Sequence, residues 1–163
     1  MPLTLTATAG SPTANTYADI DTANSHFEGR TFATTWTDAT DDAKGAALVQ
    51  ATQILDRLEW RGYKVNSTQS LRWPRSGVLD QDGYEVDWNV IPPWLERATA
   101  ELAMALIASD RTGDTADDYK RIKVGPIELD VNTAQVGQLI PAHVLSIIRP
   151  YRTGGAGVAV VRG

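Results

Sequence analysis

His26 and His143 are the side chains of this 163-residue chain best suited to moving a proton near neutral pH. Each falls in a segment of helical periodicity, where a part-buried histidine on a helix flank or in the core is the ordinary outcome. No serine sits in a nucleophile elbow, and no glycine-rich loop ends in Lys-Ser or Lys-Thr. The stretch "GGAGVAVVRG" approaches a dinucleotide fingerprint at Gly154, Gly155 and Gly157, but no helix follows it, so it reads as a linker. Asp80, Asp82, Glu85 and Asp87 gather around a turn without the ligand spacing of a calcium loop, and Asp114, Asp117 and Asp118 read as a solvated loop. With no cysteine, disulfides and thiolate metal sites are excluded. No catalytic, cofactor or metal site emerges, and the expectation is a protein that is not an enzyme.

Binding chemistry is better represented. In "SLRWPRSGVLDQDGYEVD" (70–87), Arg72 and Arg75 flank a Trp73-Pro74 step. An aromatic ring between two cations can stack a single-stranded base and neutralise its phosphate. The same pair of residue types is enriched at protein-interface hot spots. Tyr84 and Trp88 follow at the far side of an acidic turn, with which the arginines could also pair. Trp36, Trp60, Trp73, Trp88 and Trp94 all lie near element ends, and at least one is expected at an interface.

The elements that must position these residues read as mainly α: a small helical bundle with an inserted extended or β-hairpin segment and flexible terminal arms. Residues 1–16 carry no charge and read as an arm that orders on a partner. The helical-bundle domain is then 17–152, and 153–163 a flexible tail. Asp19 can cap a helix bearing Ile20, Ala23 and Phe27, with Gly29 ending it in the left-handed region. Thr40 caps a longer one whose stripe is Ala47, Leu48, Ala51, Ile54, Leu55 and Leu58, ending near 60–62 with Lys44, Gln50, Gln53 and Arg57 facing outward. "DQDG" (80–83) predicts a turn with positive φ at Gly83. Pro92-Pro93 opens a helix through Leu95, Ala98, Leu102 and Leu106. "RIKVGPIELDV" predicts a small hairpin or bent strand, and "PAHVLSIIRPYR" a last short helix with Val144, Leu145 and Ile148 inward.

Composition narrows the function classes. A core is affordable for one domain, with 42% apolar and 21% charged residues. A net charge of -5 argues against a protein that coats DNA non-specifically, while leaving room for a local basic patch such as Arg57, Arg61 and Lys64. No apolar run is long enough to span a membrane, and the N-terminal residues lack the pattern of a signal peptide.

Five segments, "YADIDTANSHF", "AALVQATQILD", "LRWPRSGVLDQDGY", "IPPWLERATAELAMALI" and "IKVGPIELDV", occur in an order that resembles the head-tail adaptors (head-completion or connector proteins) of tailed bacteriophages. Close relatives often carry the label DnaT-like single-stranded DNA-binding protein. The resemblance runs from about Tyr17 to Tyr151 and is most specific in "WPRSG" and "VGPI". It implies a structural protein without catalysis or cofactor that forms a ring, usually of twelve identical subunits, under the portal in the virion neck. Such a ring extends the DNA channel, binds the next neck or tail protein, and passes genomic DNA without reading its sequence; assembly takes place in the host cytoplasm. On this reading Arg72, Trp73, Arg75, Tyr84 and Trp88 make subunit or portal contacts. The alternative is a single-stranded DNA-binding protein that uses the aromatic and arginine patch around Trp73.

Overall fold

A computed structural model describes residues 3–110 and 139–153. The expected hairpin over 122–131, the acidic stretch 114–118 and the tail after residue 153 lie outside the described residues.

The mainly helical expectation holds. In chain order the elements are α1 (Ile20–Glu28), α2 (Thr34–Thr37), α3 (Asp41–Asp56), β1 (Tyr63–Lys64), β2 (Arg75–Ser76), α4 (Pro93–Ala108) and α5 (Ala142–Ile148), which runs into a single 3-10 turn (Arg149–Tyr151). The caps are those the sequence calls for. Asp19 accepts from the Thr22 N–H and Thr40 from the Ala43 N–H, each satisfying a donor left open at a helix start. Hydrogen bonding to Thr22 holds the Asp19 carboxyl below the usual carboxylate range. Pro93 takes the first helical position of α4, where its missing N–H costs nothing.

Three details depart from expectation. Gly29 ends α1 with φ -90°, so the left-handed region is not used. Helix α3 stops at Asp56 rather than near 60–62, because Leu58 and Trp60 turn back over its end, the Trp60 indole donating to the Leu55 carbonyl. Lys44 is buried rather than outward, its ammonium 5.5 Å from the centre of the Trp36 ring.

Helix α4 is the axis of the bundle and touches α1, α2, α3 and α5. Its Leu95, Ala98, Leu102 and Leu106 meet the α3 stripe of Ala47, Leu48, Ala51, Ile54 and Leu55, with Val144 and Ile148 of α5 closing the other side. Residues 3–16, expected to wait for a partner, instead lie on the body of the same chain. Thr6 and Asn15 exchange backbone and side-chain bonds across a turn, Ser70 reaches Ser11 and Ala14, and Leu3 and Leu5 cover Gly45 of α3. Absence of charge in that segment suited it to burial against an apolar helix as well as to flexibility.

Candidate functional site

Between α3 and α4 the chain runs through residues 57–92, two successive segments of opposite character. The first, 60–76, is held by its side chains. Gln69 is buried and uses its whole hydrogen-bonding capacity: its oxygen accepts from Val65 and Asn66 N–H, and its amide donates to the Leu71 and Pro74 carbonyls. Arg75 forks over the turn and donates to the carbonyls of Trp60, Arg61, Gly62 and Arg72. Burial lowers its pKa from the ordinary value, and the neighbouring Arg72 lowers it further; an arginine nonetheless stays cationic. Gly62 is required where it stands: φ is +71°, and a Cβ there would lie 2.3 Å from the Ser76 carbonyl oxygen.

Trp73 is the centre of an aromatic cluster. It meets Trp60 and Trp94 edge-on, at 5.7 and 5.2 Å between ring centres, and Trp94 stacks on Tyr151 at 3.9 Å. The peptide bond from Trp73 to Pro74 is cis. With 1% of its surface exposed, Trp73 can neither stack a base nor reach another subunit. This corrects two expectations, a Trp73 interface contact and a Trp73 DNA platform; the physical reason is that four aromatic rings from separate segments fill the bundle end. Arg75 is corrected with it, since its donors are committed to the chain's own carbonyls. Arg72 is exposed, and no acceptor among the described residues engages its guanidinium, while its backbone N–H donates to Asp56. The Tyr17 hydroxyl donates to that same carboxylate.

Around this segment the basic side chains collect. Arg61 donates to the Arg152 carbonyl, Lys64 lies opposite Arg75 in the β1–β2 register with its ammonium donating to the Gln69 carbonyl, and Arg72 acts electrostatically on Arg75. Tyr63 stands out from β1 with 78% of its surface exposed. Sequence reasoning passed over Tyr63; a two-residue strand with both residues exposed has no alternation to read.

The second segment, 79–90, bonds mainly to itself. The Asp80 N–H donates to the Tyr84 carbonyl, and the Asp80 carboxylate accepts from the Asp82 and Tyr84 N–H groups, with Gly83 at φ +88° as the turn predicted. Val86 N–H reaches the Val78 carbonyl and ties the loop's base to the core. Above that base Leu79, Tyr84 (73% exposed), Trp88 (47% exposed) and Val90 face solvent, interspersed with Asp82, Glu85 and Asp87. Tyr84 and Trp88 are therefore placed where a partner could reach them.

The two histidines meet at one residue. Glu101 of α4 is buried, and its carboxylate takes His26 Nε2 at 2.8 Å, Arg30 Nε at 2.7 Å and His143 Nε2 at 3.2 Å. One carboxylate thus ties α1, α4 and α5 together beside a cleft of about 520 Å³ lined by Arg97, Trp94 and Tyr151. The signal for it was present: Glu101 is the only charge between Arg97 and Asp110 in an otherwise apolar run. Among the described residues no three His, Cys, Asp or Glu side chains are placed to hold a metal ion, and no helix is long and apolar enough to cross a membrane.

A family model described as "Putative DnaT-like ssDNA binding protein" matches residues 1–163, the whole chain. The chain belongs to that family. No curated protein and no solved structure matches it.

Proposed function

We propose that this member of the DnaT-like family is an assembly protein, the head-tail adaptor of a tailed bacteriophage. It forms a ring of identical subunits beneath the portal, extends the DNA channel and docks the next neck or tail protein. One observation carries the reading: the 79–90 loop presents Leu79, Tyr84, Trp88 and Val90 to solvent on a backbone bonded at its base and tip. An ordered loop with several exposed apolar side chains is the kind of surface a protein partner covers. The motif resemblance at "WPRSG" and "IPPWLERATAELAMALI" supports the same assignment. Its action is mechanical, with no catalytic step. Burial of Trp73 and the commitment of Arg75 give each subunit a rigid body, and a closing ring requires two different complementary faces on that body. A net charge of -5 suits a conduit, because a negative lumen lets DNA slide where a basic one would hold it. Native mass spectrometry with and without the cognate portal tests this. A ring, or a dodecamer recruited to the portal, is the expected result; a chain that stays monomeric and never binds the portal contradicts it.

The family's description favours a second reading, single-stranded DNA binding. Exposed Tyr63 supports it, lying beside Lys64 in a segment that also carries Arg61 and Arg72, since one stacking ring and several cations suit a sequence-tolerant strand contact. On this reading a labelled oligonucleotide binds at low salt, and Tyr63→Ala weakens it more than Trp88→Ala. Absence of any low-salt shift removes the reading.

A further inference from the structure

The basic face and the apolar loop are complementary, and we propose that they are the two halves of one contact: loop 79–90 of one copy docks on the 60–76 face of the next. This rests on the assembly reading and deepens it by assigning the surfaces. The loop from Leu79 to Val90 carries Asp80, Asp82, Glu85 and Asp87 and no cation. Segment 60–76 carries Arg61, Lys64, Arg72 and Arg75 and no acid, with Tyr63 exposed and Glu59 and the already bonded Asp56 as the acids just before it. Each surface also has the apolar element a contact needs, Tyr84 and Trp88 on one side and Tyr63 on the other. Opposite potentials with aromatic anchors set register and partner choice more than raw affinity.

The occupant follows from the charges. DNA fits the basic face but is repelled by the loop, and would leave Tyr84 and Trp88 exposed. A second copy covers both surfaces at once, and it is the one partner certain to be present wherever the chain is. Asp82, Glu85 and Arg72 make no side-chain hydrogen bond or ion pair among the described residues, so reversing their charges changes the surface without removing a known internal bond.

Charge exchange on the full chain tests the pairing. D82K/E85K and R61E/R72E, each alone, should weaken self-association at least about tenfold in sedimentation at low salt. An equimolar mixture of the two should associate again, because each variant then meets an opposite charge on its partner. Association of the wild-type chain should also fall as salt rises from about 50 to about 500 mM. R72E without R61E repeats the face variant while sparing the Arg61 bond to Arg152, and circular dichroism checks that each variant is folded. A mixture that fails to associate while both variants are folded overturns the pairing, as does a wild-type chain that stays monomeric at its highest soluble concentration. So does a labelled single-stranded oligonucleotide that binds the wild-type chain, is lost in R61E/R72E, and is bound with no self-association at any concentration. Restored association in a chain that never joins a portal would keep the pairing and refute the adaptor. A chain found at the portal whose mixture stays apart would do the reverse.

Discussion

Trp73 and Trp88 stand fifteen residues apart on the same connection between α3 and α4, each among charges, each beside a glycine turn, and they end in opposite environments. Trp73 is 1% exposed and Trp88 47%. What separates them is the bonding of their segments. Residues 60–76 are pinned by Gln69 and Arg75 to six backbone carbonyls and two N–H groups, and their tryptophan closes an aromatic cluster. Residues 79–90 are pinned chiefly to one another through Asp80, so their apolar side chains have no core left to enter. The first segment spends its signature residues on folding; the second keeps its own for a partner. Composition alone cannot tell these apart, because Trp, Arg and Gly serve both ends equally well.

The comparison breaks or sharpens at several points. The largest effect is expected at Trp73→Ala, which empties the centre of the aromatic cluster and should cost about 3–5 kcal/mol in urea unfolding. Arg75→Lys comes next: it keeps the charge and loses the fork over four carbonyls, at a cost on the order of 1–2 kcal/mol. A loss no larger than that of a surface lysine swap would mean the segment is not held as described.

Tyr17 links the same segment to pH. Burial first, and then the Asp56 carboxylate that also takes the Arg72 N–H, holds its phenol well above the ordinary value. A raised folded value keeps stability whole below about pH 10, where the unfolded phenol starts to ionise, and removes it as pH rises toward the folded value. Thermal melts of wild type should therefore decline above that pH, and Tyr17→Phe should lose this alkaline slope while starting lower. Smallest is Asp80→Ala: it should speed hydrogen exchange at the Asp82 and Tyr84 amides, with global stability changing by no more than about 0.5 kcal/mol.

Much of the bundle was legible in the sequence because caps and helical stripes are local signals. Asp19, Thr40 and Pro93 start helices where their chemistry predicts, and the stripes of α3 and α4 face each other. The site was legible only in part. "LRWPRSG" was correctly singled out, yet its Trp and one of its arginines serve the core, since burial depends on Trp60, Trp94 and Tyr151 arriving from elsewhere in the chain. Gln69 and Asn66 hold the turn through side-chain to backbone bonds that leave no periodic trace. The convergence of His26, Arg30 and His143 on Glu101 likewise needs three helices in place before it exists.

The account's central claim is that loop 79–90 keeps Tyr84 and Trp88 for a protein partner, whereas Trp73 and Arg75 of segment 60–76 are spent on the fold. Sedimentation velocity of the full chain, wild type against Tyr84→Ala/Trp88→Ala, over a concentration series, measures it most directly. The account predicts that wild type associates, and that the double variant stays monomeric while its urea midpoint remains within about 0.5 kcal/mol of wild type. Equal association by both proteins, or a double variant that loses stability as Trp73→Ala does, would contradict it.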